Sequence, residues 1–250
     1  MKKELNIIYN YFPNKVSGTV VECGTAEGYH EPSVSLEKSG WKFYGFEPDP
    51  RFYSILLKTR PSGTNLPFAL SDKNELVEFE ISAWGGNSSL KHCNFHKNEL
   101  MSYDAQFDDG TKFKKIWVTS ITWESFIKRY NIGHVDLFIL DVEGSELSVI
   151  NGMRKSQIWP DVLCVEFGYS DHKNSLMNER KKENFSGFKI IKDILKPLGY
   201  EFDYLNHNNL MFSKKTFWVD KEKPSDWFGE DTEFHHLGYC FYDKEKCKKL

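Results

Sequence analysis

The sequence lacks the marks of several large protein classes. It has 5 cysteines, an odd count with no CxxC pair, which excludes a disulfide scaffold and favours a reducing compartment. It has no apolar run near the roughly 20 residues that a membrane-spanning helix needs. The first eight residues contain two lysines but no continuous apolar segment. We therefore expect no signal peptide, no membrane span and a cytoplasmic location.

An excess of positive charge is also missing. Lysine and arginine total 33 against 36 acidic residues, so the net charge is −3. A surface that neutralises nucleic-acid phosphates is usually strongly basic, so we expect no nucleic-acid partner. Hydrophobic residues make up 40% and charged residues 28%, which is typical of a folded soluble domain and not of a disordered or collagen-like chain.

Strand-like and helix-like segments alternate along the chain. The apolar patterns and turn residues predict strands at 19–23, 42–47, 65–70, 76–82, 116–119, 135–140 and 162–165. They predict helices at 29–39, 51–59, 122–130, 145–151 (closed by Gly152) and 186–197. A hairpin is predicted at 200–205 and 209–213. This order indicates an α/β fold with a doubly wound, mostly parallel sheet and a terminal antiparallel hairpin. Ligands of such sheets bind at the carboxyl ends of the strands.

Two regions stand apart from this alternation. Residues 83–115 form a long irregular stretch, which we interpret as a substrate-facing insertion, with a plain surface excursion as the alternative. We expect one domain over 1–215 and a tail over 216–250 that packs on the domain, covers the site or forms a homodimer interface.

A glycine loop follows the first predicted strand. Glu22, Gly24 and Gly28 fit the pattern E-x-G-x-x-x-G. The NAD fingerprint G-x-G-x-x-G would need glycine at positions 26 and 29, which are Ala26 and Tyr29. The loop therefore favours a ligand without a pyrophosphate, such as S-adenosylmethionine.

Carboxylates follow three further strands. Glu47 ends the second strand, where a carboxylate can accept both hydrogen bonds of a ribose diol. Asp141, Glu143 and Glu146 follow the strand at 135–140, and Glu166 follows the next. Buried carboxylates are costly unless they bind a positive group, which here is a sulfonium, a divalent metal, an arginine or a proton. Glu146 also suits the start of a helix.

These motifs together resemble a known family. The segments that carry the resemblance are 21–24 (VECG), 45–48 (GFEP), 69–72 (ALSD), 118–126, 141–146 (DVEGSE) and 165–166 (VE). From about residue 18 to about residue 167 they are similar, in order, to the FkbM-type S-adenosylmethionine-dependent O-methyltransferases. The first loop departs from the family pattern at Thr25 and Glu27.

The resemblance implies the class I methyltransferase (Rossmann-like) fold and methyl transfer to a hydroxyl of a sugar, as in capsule, lipopolysaccharide or glycoside biosynthesis, or of a polyketide. It implies that a cofactor site, including Thr25 and Asp141, is built around the glycine loop. Glu22, Gly24 and Gly28 would line the methionine part of the cofactor, Glu47 would hold the ribose, and Ser71 and Asp72 would lie near the adenine.

A sugar hydroxyl is a poor nucleophile, so a base or a metal has to assist. We expect the base among Asp141, Glu143, Glu166 and His172. The alternative is a divalent metal, magnesium or manganese, bound by Asp141 and Glu166. The competing functions are an NAD-dependent nucleotide-sugar oxidoreductase, against which Ala26 and Tyr29 argue, and a binding module without catalysis.

Overall fold

Seven strands form the central sheet of the protein, of which a computed structural model describes residues 8–85, 87–90, 101, 104–166, 193–206 and 209–218. The strands are β1 (Thr19–Cys23), β2 (Lys42–Phe46), β3 (Thr64–Leu66), β7 (Leu137–Leu140), β8 (Val162–Glu166), β9 (Tyr200–Asn206) and β10 (Asn209–Lys214). Their order is β3-β2-β1-β7-β8-β10-β9. Only the β8–β10 and β10–β9 pairs are antiparallel. The predicted fold, a mostly parallel sheet that ends in a hairpin, is confirmed.

Four α-helices whose bounds lie within the described residues each follow a strand. They are α1 (Glu31–Lys38), α2 (Pro50–Thr59), α3 (Trp123–Arg129) and α4 (Glu146–Met153). Proline stands in the first turn of α1 and α2, where its missing N–H costs nothing. The side chains of Asp49 and Thr122 cap α2 and α3 by accepting hydrogen bonds from backbone N–H groups.

Both faces of the central sheet are buried, as expected for a doubly wound sheet. Val21 of β1 and Phe138 of β7 belong to the larger apolar core on one face. Val20 and Leu137, one residue earlier in each strand, belong to the core on the other face. Successive side chains of a strand point to opposite faces, so one short apolar strand supports both cores.

A second sheet of three strands contributes Leu70 and Ile121 to the larger core. It consists of β4 (Ala69–Ser71), β5 (Glu75–Ser82) and β6 (Phe113–Thr122), in the order β4-β6-β5. The prediction of one strand over 65–70 is wrong, because β3 and β4 belong to different sheets. Pro67 lies between them and has no N–H to continue a ladder. The last residues of the region 83–115 already belong to β6.

Gly152 lies inside α4, so the prediction that it closes this helix is also wrong. A Cβ atom at Gly152 would lie 2.3 Å from the carbonyl oxygen of Ser71 in β4. The missing side chain therefore allows the helix to pack directly on the edge of the small sheet.

The hairpin predicted at 200–205 and 209–213 is confirmed by β9 and β10. Of the helix predicted at 186–197, residues 193–195 are helical, whereas 186–192 lie outside the described residues. The tail beyond residue 218 lies outside them as well. Within the described part of the chain, no helix has the length and apolar character needed to cross a membrane.

We predict that Gly152→Ala destabilises the protein by several kcal/mol, although the same change in an exposed helix would stabilise it by about 1 kcal/mol. The added methyl group would collide with the backbone of β4. Urea unfolding measures the difference. Gly133→Ala is the control, because a Cβ there meets nothing within 4 Å. A Gly152→Ala variant as stable as wild type would contradict the packing described here.

Candidate active site

The loop after β1 is bent tightly against the end of β7. Gly24 has a positive φ of 86°, and a Cβ at this position would lie only 1.6 Å from the carbonyl oxygen of Asp141. The backbone N–H of Asp141 in turn donates to the carbonyl oxygen of Cys23 at 3.0 Å. Only glycine fits this close approach of two main chains.

The rest of this loop is held by its own residues. The hydroxyl of Thr25 is buried and lies 3.2 Å from the carbonyl oxygen of Phe46 and 3.3 Å from that of Glu22. Gly28 has a φ of 82°, and a Cβ there would collide with side chains of α2. Thr25 and Gly28 therefore shape the loop, whatever it binds.

Glu22 is almost fully buried at the penultimate position of β1. Its Oε2 accepts a hydrogen bond from the hydroxyl of Ser33 at 2.6 Å. Its Oε1 lies 2.9 Å from Nδ1 of His30, the residue just before α1. His30 belongs to none of the motifs recognised in the sequence. Its position at the predicted start of a helix beside the glycine loop is the signal that could have identified it.

Glu47 lies just past the end of β2 and is 5% exposed. Its Oε2 accepts from the N–H of Ala26 and its Oε1 from the N–H of Asp49, both at 2.8 Å. Burial raises the pKa of this carboxyl to about 8, although the two N–H donors act to lower it. Each carboxylate oxygen keeps a lone pair for a further donor.

Asp141 and Glu166 end the neighbouring strands β7 and β8, and their side chains are hydrogen-bonded to each other. Burial raises the pKa of Asp141 well above its ordinary value, and the adjacent carboxyl of Glu166 raises it further. Two carboxyl groups so close cannot both be ionised unless a cation or a shared proton lies between them. Both residues line one cavity at this end of the sheet.

The loop from β7 to α4 is organised by Glu146. Its Oε1 accepts from the N–H groups of Gly144 at 3.0 Å and Val142 at 3.3 Å. Burial raises the pKa of Glu146 to about 7. Glu143 has a φ of 54°, which is uncommon for a residue with a side chain.

Residues 87–90, at the start of the predicted insertion, form a strap across this end of the sheet. The amide of Asn87 donates to Oε1 of Glu143 at 2.8 Å. The hydroxyl of Ser89 donates to the carbonyl oxygen of Val142 at 3.0 Å, and that of Ser88 donates to Asp49 at 3.2 Å. The strap thus ties the loop after β2 to the loop after β7.

Two cavities meet at Gly24 and Asp141. The inner cavity has a volume of about 30 Å³ and lies beneath the strap; its walls include Glu47, Phe52, Leu70, Leu90 and Val142. The outer cavity has a volume of about 210 Å³; its walls include Glu22, Glu27, Tyr29, His30 and Glu166.

Not every predicted residue lines these cavities. Ser71 and Asp72 lie at the end of β4 and line neither of the two. His172 lies outside the described residues. Gly28 and Glu143 line neither cavity either. The roles assigned to all the predicted site residues stay predictions.

The structure also brings together His134, Asp136 and Asp161, whose potential metal-ligating atoms lie within 4.8 Å of one another. They precede β7 and β8, so they lie at the opposite end of the sheet from the cavities. Lys15 already pairs with Asp136, and Lys214 pairs with Asp161 at 3.2 Å. We therefore interpret this cluster as an ion-pair network.

Comparison with known proteins agrees with this arrangement. The family model described as the methyltransferase FkbM domain matches residues 22–202, well over half of the chain. The match includes the glycine loop, Glu47 and the carboxyl ends of β7 and β8.

Individual relatives are distant. The Spore membrane assembly protein 2 of Kluyveromyces lactis is 23% identical over 154 residues, which cover 58% of this chain and 40% of that protein. The ribosomal protein L11 methylase of Lactobacillus delbrueckii is 11% identical, with 85% of this chain and 78% of that chain covered and a TM-score of 0.39. The magnesium protoporphyrin IX methyltransferase of Synechocystis, solved with bound S-adenosylmethionine, is 12% identical, with 86% and 79% covered and a TM-score of 0.41. Scores at this level carry no argument about activity.

We predict that Glu47→Gln reduces the pH dependence of stability. The pKa of Glu47 is raised from 4.5 to about 8, so the folded state holds a proton that the unfolded state loses. The free energy of unfolding of the wild type therefore falls as pH rises from about 4.5 to about 8. The Glu47 carboxyl lowers it by at most ~1.4 kcal/mol per pH unit. Glutamine removes that contribution.

Urea unfolding between about pH 5 and about pH 8 measures this difference. Glu78→Gln, on the exposed face of β5, is the control and should keep the wild-type slope. The same slope in Glu47→Gln and wild type would contradict the raised pKa of this buried carboxyl, which its two N–H donors compensate only in part.

Proposed function

The chain belongs to the FkbM methyltransferase family, and we propose that it transfers the methyl group of S-adenosylmethionine to a hydroxyl of a sugar-type acceptor. The acceptor is a nucleotide sugar or a glycan, of the kind used for surface polysaccharides, and the reaction takes place in the cytoplasm. The observation that carries the proposal is the row of carboxyl groups at the ends of β1, β2, β7 and β8, around two cavities that meet at Gly24 and Asp141.

Glu47 and the inner cavity suit the nucleoside half of this cofactor. A ribose diol needs an acceptor for two hydrogen bonds, and both oxygens of Glu47 retain a lone pair. Phe52, Leu70 and Val142 supply apolar walls for an adenine ring. The cavity, at about 30 Å³, is smaller than a nucleoside, so its walls have to open when one binds.

Asp141 and Glu166 suit the reacting end. When bound, S-adenosylmethionine supplies the methyl group and leaves as its thioether. The negative charge of the pair favours a sulfonium next to it. Asp141 accepts the proton of the acceptor hydroxyl as the new oxygen–carbon bond forms, and its raised pKa brings its basicity closer to that of a useful base near neutral pH.

A divalent metal is the second version of this step. Two carboxyl groups on adjacent strands can ligate magnesium or manganese, which would lower the pKa of a bound hydroxyl. In that version Asp141 and Glu166 are ligands and the proton passes to solvent. Activity that persists in EDTA distinguishes the proton-acceptor version from the metal version.

We predict that Asp141→Asn lowers methyl transfer by a factor of roughly 10² to 10⁴, because asparagine can neither accept the proton nor balance positive charge. Transfer of labelled methyl groups to a panel of nucleotide sugars and glycans measures this effect, with and without EDTA. Circular dichroism checks that the variant is folded.

Near-normal transfer by folded Asp141→Asn would contradict its catalytic role. Transfer to a polyketide hydroxyl, with none to any sugar, would overturn the acceptor class but leave the reaction type intact.

We also predict that Glu47→Ala weakens binding of S-adenosylhomocysteine by about 1–3 kcal/mol, because the ribose diol loses its acceptor. Calorimetric titration measures the affinity. Glu78→Ala on the surface of β5 is the control and should bind like wild type. Equal affinity of wild type and Glu47→Ala would remove Glu47 from the cofactor site.

A further inference from the structure

Acidic residues make up four of the ten residues that line the outer cavity. Four carboxyl groups face it, from Glu22, Glu27, Asp141 and Glu166. Among the described residues that line the cavity, His30 alone has a basic side chain, and Tyr29 adds a neutral hydroxyl. Such a cavity attracts cations and repels anions unless an anion meets a positive partner inside it.

The imidazole of His30 lies against the buried carboxylate of Glu22. Its Nδ1 lies 2.9 Å from Oε1 of Glu22, and the hydroxyl of Ser33 fixes the other oxygen of the same carboxylate. Glu22 is 3% exposed, whereas the side chain of His30 is 27% exposed. The imidazole thus lies within ion-pair distance of a buried carboxylate and keeps accessible surface beside the cavity.

The amino-acid half of the proposed cofactor carries charges of both signs. A ligand held by its ribose at Glu47 extends past Gly24 and Asp141, which both cavities share, into the outer cavity. Its ammonium and sulfonium groups lie near carboxylates there. Its own carboxylate lies among four acidic side chains and one imidazole.

We propose that His30 binds the α-carboxylate of the methionine half of the cofactor and selects the intact amino-acid cofactor over a bare nucleoside. The inference rests on the proposed function. An imidazole protonated at both nitrogens is positively charged; its Nδ1 then forms an ion pair with Glu22, and its Nε2–H can donate to the ligand. Glu22 stabilises that charge, so Glu22 acts through His30 as a positioning residue.

Two ligands that differ only in the amino-acid part test this role. S-adenosylhomocysteine carries the carboxylate and the ammonium, and 5′-methylthioadenosine carries neither. In His30→Asn the new amide can still donate to Glu22, but the distal N–H and the charge are lost. We expect the variant to bind S-adenosylhomocysteine roughly 10- to 100-fold more weakly and 5′-methylthioadenosine as wild type does.

Calorimetry gives both affinities, with displacement titration for the weaker ligand. His134→Asn, at the opposite end of the sheet, is the control and should bind both ligands normally. If His30→Asn does not fold, His30→Gln takes its place, and we expect the same direction of change.

Unchanged binding of S-adenosylhomocysteine by a folded variant would overturn the proposal. An equal loss of affinity for both ligands would overturn it as well, because that pattern would mean that His30 only supports the loop. Failure of the proposed function itself is distinct, because wild-type protein would then bind neither ligand.

Discussion

The candidate site depends on one close approach of two main chains. At Gly24 the loop after β1 lies so near Asp141 that a methyl group there would overlap the Asp141 carbonyl. The hydrogen bond from the N–H of Asp141 to Cys23 holds the two strand ends together. The two cavities meet at this contact, so a ligand that fills both has to cross it. Since parallel pairing of β1 with β7 fixes the contact, the fold itself fixes the spacing of the two cavities.

Negative charge is the second property of the site. Several carboxyl groups lie at the same end of the sheet, where burial raises the pKa of Glu47, Asp141 and Glu146. Backbone N–H groups compensate Glu47 and Glu146, which thereby shape the loops. The carboxyl groups of Asp141 and Glu166 lie side by side and line the outer cavity, where a cationic ligand would relieve their repulsion. A sulfonium cofactor therefore suits the electrostatics of the site better than a pyrophosphate.

Much of this was predictable from the sequence, and the exceptions have physical causes. The run Leu137–Leu140 is apolar on both faces, which identifies a central parallel strand. Local patterns could not show that Pro67 divides two sheets, because the division depends on the partner of β4. Gly152 resembles a helix end in sequence, and only its contact with Ser71 explains a glycine inside the helix. His30 was missed for the same kind of reason, since its importance comes from its distance to Glu22.

Calorimetric titration of the wild-type chain with S-adenosylhomocysteine and, separately, with NAD shows whether the two cavities together form a site for S-adenosylmethionine. We predict saturable binding of the thioether with a micromolar dissociation constant and no binding of NAD, because Ala26 and Tyr29 replace the glycines that a pyrophosphate requires. Binding of NAD without binding of S-adenosylhomocysteine would contradict the account and indicate an oxidoreductase on the same sheet.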